Sequence, residues 1–280
     1  MTKVAVAQMV SSASIKNNLD VVEKFLKQAQ DEQVDLVVLP ENFAFMGMKE
    51  TDKLSIAEIS GAGEIQESLA RLAKKYSLWI IAGTLPLKSL GDRVRASSFV
   101  FDNKGQCAGR YDKIHLFDVR VSEQEAHQES LTIERGDQLV VVDTPVGRVG
   151  LTVCYDLRFP ELYQQLVAKG AELFSVPSAF TAVTGVAHWE VLLRARAIEN
   201  LCYVLAPNQG GFHENGRQTY GHSMIIEPWG KILVRQEAGA GIITAAIDLQ
   251  RLQQLRRQFP CNNHHVLISS GTNSCEKQVQ

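Results

Sequence analysis

Three residues could together perform covalent amide chemistry: Cys154, Glu41 and Lys113. Cys154 ends the apolar run Arg148–Val153 and is followed by Tyr155-Asp156-Leu157-Arg158-Phe159-Pro160-Glu161 and a helical pattern. A nucleophile on a sharp strand-to-helix turn is exposed by the turn, and neighbouring backbone N–H groups can point at a developing oxyanion. A helix N-terminus would also favour the thiolate. The competing reading is a buried structural thiol. Glu41 follows the apolar run Asp35–Leu39 and Pro40, so its carboxylate sits at the carboxyl end of a buried strand, where ligands bind in α/β sheets. It could equally cap a helix or face solvent. Lys113, in Arg110-Tyr111-Asp112-Lys113-Ile114-His115-Leu116-Phe117, reads alone as a solvated charge. In one cleft the three make sense. Amide cleavage through cysteine needs a base for the thiol proton, an acid for the leaving amine and positive charge at the tetrahedral oxygen. A partly buried glutamate can be both base and acid, and a lysine beside it would lower the thiol pKa.

The elements that must carry these residues alternate. Strand-like runs at Lys3–Val10, Asp35–Leu39, Leu78–Thr84, Leu173–Val176 and Cys202–Ala206 are interleaved with helical patterns at Ser14–Gln33, Glu64–Tyr76, Pro160–Lys169 and Ala187–Asn200. Hairpin pairs are expected at Val94–Phe101 with Gln106–Tyr111, at Leu139–Asp143 with Arg148–Val153, and at Ser223–Glu227 with Lys231–Arg235. A last strand, Gly241–Ile247, precedes a last helix, Leu249–Gln258. Alternation argues for an α/β layered fold, and the hairpins for a mixed sheet or two packed sheets. No internal repeat and no Pro/Ser-rich linker is evident, so a single domain over 1–267 is expected, with a flexible tail at 268–280.

Composition excludes several classes. Apolar residues make up 45% and charged residues 21% of 280, ordinary for a globular chain. The net charge is −2 without runs of one sign, which gives no footprint for nucleic acid or anionic membranes. No apolar run approaches the ~20 residues of a membrane helix, and the first residues lack signal-peptide regions. Cys107, Cys154, Cys202, Cys261 and Cys275 are widely spaced with no C-x-x-C pair, and the histidines form no H-E-x-x-H helix. Free thiols in a cytoplasmic protein, with no metal and no cofactor, are the expectation.

The pattern Leu39-Pro40-Glu41, Tyr111-Asp112-Lys113-Ile114-His115-Leu116-Phe117 and Cys154-Tyr155-Asp156-Leu157-Arg158-Phe159-Pro160-Glu161, in that order, resembles the nitrilase superfamily of carbon–nitrogen hydrolases over about Lys3 to Leu267. The resemblance implies a four-layer αββα sandwich of two mixed β-sheets with helices outside. It implies Cys154 as a thioester-forming nucleophile, Glu41 as general base, and Lys113 with the Tyr155 N–H as oxyanion hole. In His127-Gln128-Glu129-Ser130, Glu129 matches the setting of a second, supporting glutamate; the competing reading is an exposed loop residue. A homodimer and a small-molecule amide substrate are also implied.

Pro177-Ser178-Ala179-Phe180-Thr181, Thr184-Gly185-Val186-Ala187-His188-Trp189-Glu190 and Arg194-Ala195-Arg196-Ala197-Ile198-Glu199-Asn200 are similar to the branch that holds ω-amidase and deaminated glutathione amidase, and the run Cys154–Glu161 with Tyr220-Gly221-His222-Ser223-Met224 leans toward the second. The second implies cleavage of deaminated glutathione to 2-oxoglutarate and cysteinylglycine. Rivals are ω-amidase acting on 2-oxoglutaramate, an N-carbamoyl amino-acid hydrolase, and a non-catalytic thiol-sensing or binding protein. For a substrate with carboxylates, Arg158 is a binding candidate or a structural ion pair. Phe180, Thr181, His188 and Phe43 are pocket candidates, with Asn42 and Phe45 beside Glu41, while Trp189 reads better as core.

Overall fold

The computed structural model describes residues 1–121, 123 and 126–266. The expected tail at 268–280 lies outside the described residues. In chain order the elements are β1 (Thr2–Gln8), α1 (Ile15–Asp31), β2 (Leu36–Leu39), α2 (Glu64–Tyr76), β3 (Trp79–Lys88), β4 (Val94–Phe101), β5 (Cys107–Asp112), β6 (Asp118–Arg120), β7 (Ala126–Gln128), β8 (Val141–Thr144), β9 (Gly147–Leu151), α3 (Pro160–Ala168), β10 (Leu173–Ser175), α4 (Ala182–Thr184), α5 (Glu190–Asn200), β11 (Tyr203–Ala206), β12 (Gly210–Phe212), β13 (Gln218–Tyr220), β14 (Ser223–Ile226), β15 (Ile232–Gln236), β16 (Gly241–Ile247) and α6 (Leu249–Gln258).

Two six-stranded mixed sheets form, in the orders β16-β1-β2-β3-β4-β5 and β15-β14-β11-β10-β9-β8. In the first, β1, β2 and β3 run parallel, β16 is antiparallel to β1, and β4 and β5 continue antiparallel. The second repeats this: β9, β10 and β11 are parallel, β8 is antiparallel to β9, and β14 and β15 continue antiparallel. The repeat that the sequence hides is therefore a repeat of pairing and direction. Pairing of this kind needs a matching apolar pattern, not matching side chains.

Strand alternation places the layers. Val4 and Val6 of β1, Leu36 and Val38 of β2 and Ile81 of β3 join Val149, Leu151, Phe174 and Val204 in one core between the sheets. Their neighbours Ala5, Ala7, Val37, Leu39, Ile80 and Ala82 face outward, onto Val22, Leu26 and Ala29 of α1 and Leu69 and Leu72 of α2. Leu162, Tyr163 and Leu166 of α3 and Leu193 and Ala197 of α5 pack with the second sheet. Helix, sheet, sheet, helix is the αββα sandwich. Strand β2, LVVL, is buried at every residue because it is covered on both faces.

The expected helix Ala187–Asn200 starts earlier, at Ala182, and is helical without a break to Asn200. A π turn, Gly185–Trp189, runs between α4 and α5. The short hairpins β6–β7 and β12–β13 were not read from the sequence, since three polar-flanked residues carry too little periodicity. Among the described residues no helix is long and apolar enough to cross a membrane.

Candidate active site

Glu41 is set by the end of β2. Pro40 stops the strand, and the backbone N–H of Asn42 donates to Thr84 Oγ1 at 3.0 Å on the neighbouring strand. Gly83 allows this approach: a Cβ there would lie 1.8 Å from the Pro40 carbonyl oxygen. From the opposite sheet, Gln209 Nε2 donates to the Glu41 carbonyl at 3.0 Å and to Ser11 Oγ at 2.7 Å. Both Glu41 and Lys113 are nearly inaccessible.

Lys113 follows β5. Its Nζ donates to Glu41 Oε1 at 2.8 Å and to Glu129 at 2.9 and 2.8 Å. Glu129 is fixed in turn by the Phe117 N–H at 2.7 Å. This removes the exposed-loop reading of Glu129, because its carboxylate is turned inward onto the ammonium. Burial alone would raise the Glu41 carboxyl, but the charge and hydrogen bond of Lys113, with smaller help from the Cys154 thiol and Arg217, hold it below its ordinary value. Burial works against the Lys113 ammonium, yet Glu129 and Glu41 together push its pKa well above the ordinary lysine range.

Cys154 opens a 3₁₀ turn, Cys154–Arg158, between β9 and α3. Its φ is +48°, a left-handed conformation that a non-glycine residue adopts at a strain of about 1–3 kcal/mol. Its backbone N–H donates to the Pro177 carbonyl at 2.9 Å, and it lines one cavity with Glu41, Lys113 and Ala179. The expectation of a lowered thiol pKa is corrected here. Burial first, then the Glu41 charge, raise the thiol above its ordinary value and outweigh Lys113 and the Ala179 amide. The thiol is therefore neutral at rest, with the Glu41 carboxylate in the same cavity. Among the described residues the Tyr155 N–H has no hydrogen-bond acceptor, as an oxyanion donor must not.

One residue unmarked by the sequence reading ties the Lys113 and Cys154 loops together. Asp156, fully buried, accepts from the Val153 N–H at 2.8 Å, the Tyr111 hydroxyl at 2.7 Å and the His115 N–H at 3.0 Å, and His115 Nδ1 lies 2.7 Å away. The His115 ring stacks on Phe159, with centroids 3.7 Å apart. Asp156 and His115 stood inside the quoted motifs, but only the fold shows that they meet.

The pocket candidates divide. Arg158, Phe180 and Thr181 line the cavity with Asn42, Thr184 and Arg217. The structural ion-pair reading of Arg158 falls away, since among the described residues no carboxylate pairs with it. It lies over the rings of Tyr155 and Phe180, 5.7 and 5.6 Å from their centroids. Two candidates are corrected. Phe43 is fully buried in the core beneath α1, because the turn after Glu41 directs it inward. His188 is exposed and outside the cavity wall; its Nδ1 sits 3.3 Å from both terminal nitrogens of Arg158 and steadies that side chain from behind. Trp189 is core, with Nε1 donating to the His222 carbonyl at 2.8 Å. Phe45 lines an outer cavity instead. Arg217 and Lys53 were missed, having no motif around them.

The family model for carbon–nitrogen hydrolases matches residues 3–257. A deaminated glutathione amidase from Yersinia enterocolitica is 42% identical over 270 residues, 95% of this chain and 94% of its own. The crystal structure of the Caenorhabditis elegans NitFhit protein superposes with a TM-score of 0.89 at 38% identity, covering 95% of this chain and 65% of that longer one. Saccharomyces cerevisiae Nit3, described as a member of the nitrilase superfamily, superposes with a TM-score of 0.84 at 31% identity, covering 92% and 94%.

Proposed function

The chain belongs to the carbon–nitrogen hydrolase family, and on that premise we propose that it is an amidase that cleaves deaminated glutathione through a thioester on Cys154. The observation that carries the chemistry is that the Cys154 thiol shares one cavity with Glu41, whose Oε1 lies 2.8 Å from Lys113 Nζ. As Sγ attacks the amide carbon, its proton passes to Glu41, and the carbonyl oxygen becomes an oxyanion between Lys113 Nζ and the Tyr155 N–H. Glu41 then protonates the leaving nitrogen, the C–N bond breaks and the acyl group stays on sulfur. Glu41 next takes a proton from water, the resulting hydroxide attacks the thioester, and the acid and free thiol are released. With Glu129 ionised, the site carries one net negative charge before attack, and that charge moves from Glu41 to the substrate oxygen. Glu129 holds Lys113 Nζ in place beside Glu41.

Arg158 supports the choice of substrate. It is a cation without an acid partner among the described residues, and a 2-oxo acid carboxylate on the acyl side suits it. Phe180 and Thr181 would flank the acyl chain. The name carried by the Yersinia relative supports the same choice. The inner cavity, about 50 Å³, favours one rival, ω-amidase acting on 2-oxoglutaramate. Rates measured side by side on deaminated glutathione and 2-oxoglutaramate decide between them: we expect higher kcat/KM on the first, and an equal or better rate on the small amide overturns it.

We further propose a cytoplasmic homodimer built on one domain over 1–267. The inter-sheet core, which gathers residues from Val4 to Leu252, supports the single domain. Free Cys107, Cys154, Cys202 and Cys261 suit a reducing compartment. Exposed Val191 and Ile198 on one face of α5, beside Trp229 and Phe259, offer an apolar contact surface.

A further inference from the structure

The catalytic cavity adjoins a second, much larger one. The inner volume is about 50 Å³ and the outer about 560 Å³, and only the outer has the size of a small-ligand cleft, about 300–1,000 Å³. Asn42, Glu50, Lys53, His127 and Arg217 line both and form the neck between them.

This neck lies on the Glu41 side of the site. Asn42 is the next residue in the chain, and the Arg217 charge is felt at the Glu41 carboxyl. Arg158 stands instead with Tyr155 and Phe180 on the nucleophile's sheet. The reaction gives the two sides different occupants. Glu41 hands its proton to the leaving nitrogen, so the amine half of the substrate must lie against Glu41, and whatever that nitrogen carries extends through the neck.

The neck is charged for an anion. Lys53 is held by Glu50 at 2.7 Å. Arg217 has no acid within ion-pair distance among the described residues; its Nη2 donates to the Ala179 carbonyl at 2.7 Å, and its Nε is buried without a partner. Two cations thus stand against one carboxylate, and exposed Lys49 adds positive charge to the outer wall. An amidase releasing ammonia has no use for such a groove.

We propose that the outer groove is the leaving-amine subsite, built for an amine of dipeptide size that ends in a carboxylate, which Arg217 and Lys53 bind. The inference rests on the proposed cleavage of deaminated glutathione, whose leaving amine is cysteinylglycine with a terminal glycine carboxylate.

Three amides sharing the 2-oxoglutaryl acyl group test it: the primary amide, the cysteinylglycine amide, and the latter with its terminal carboxylate converted to a carboxamide. Each is assayed with the wild type, Lys53→Gln and Lys53→Arg. In the wild type the free carboxylate should raise kcat/KM over the carboxamide by about tenfold. Lys53→Gln should lower the ratio of dipeptidyl to primary amide kcat/KM by about 10- to 100-fold, mainly through KM, as expected for loss of a charge-assisted contact, and Lys53→Arg should restore most of it. An unchanged ratio in Lys53→Gln, or an equal fall on all three substrates, overturns the subsite. A wild type that cleaves the primary amide but not the dipeptidyl amide overturns the substrate reading itself, which is a different result.

Discussion

The two sheets share one order of pairing yet hold their functional groups by different means. The first supplies charge: Glu41 after β2 and Lys113 after β5, fastened to each other and to Glu129 of the separate β6–β7 hairpin by side-chain ion pairs of 2.8 Å. The second supplies shape: the Cys154 sulfur and the amides of Tyr155 and Ala179, fastened by backbone geometry through a left-handed turn and the bond from the Cys154 N–H to Pro177. The strands that lead to these groups are not counterparts in the two sheets. The counterpart of β9, which leads to Cys154, is β1, which leads to buried Met9. The scaffold is duplicated while the chemistry is not, so activity depends on the register of one half on the other.

The largest break in this division is Cys154→Ala. Turnover should vanish while thermal unfolding shifts little, because one buried sulfur is removed and the backbone turn remains. Appreciable product formation by this variant would mean that the second sheet does not supply the nucleophile. Next comes Lys113→Met on the charged side. One oxyanion donor is worth about 10²–10³-fold in kcat, and leaving two carboxylates buried without their cation should destabilise the fold by about 3–5 kcal/mol in denaturant unfolding. The pH profile adds a sign. In the wild type the Glu41 carboxylate lies below its ordinary 4.5, so activity is present above that value and falls as pH drops through the lowered pKa. Without Lys113, burial raises the carboxyl and the acid limb must move to higher pH. A change confined to KM would make Lys113 a binding residue. The smallest effect belongs to the seam. Asp156→Asn should lower kcat about tenfold with KM nearly constant, and destabilise by about 1–3 kcal/mol, since a buried acceptor of several hydrogen bonds is compromised. Unaltered kcat would show that another contact keeps the halves in register.

Much of this was legible before folding. Helices Glu64–Tyr76 and Leu249–Gln258 and strands Val94–Phe101 and Gly241–Ile247 have the limits expected from their patterns, because each is an apolar repeat bounded by turn residues. The ends of apolar runs marked where Glu41, Lys113 and Cys154 sit, but each alone also had a bland reading, and the three motifs in order, resembling one family, singled them out. The seam was not legible. Asp156 to Tyr111 spans 45 positions and Gln209 to Glu41 spans 168, and neither contact leaves a local trace. The same holds for Arg217, which no motif surrounds. Phe43 misled because a residue beside a catalytic one need not face the site. The thiol pKa misled because burial depth is a property of the packed sheets.

The left-handed turn at Cys154 has a consequence for descent. Glycine or asparagine would sit in that conformation with less strain, so folding by itself gives no reason to retain cysteine there. Only the demand for turnover does. In a gene copy relieved of that demand, position 154 should be among the first in the site to drift, well before the ion cluster around Lys113, whose loss would unseat the fold as well as the reaction.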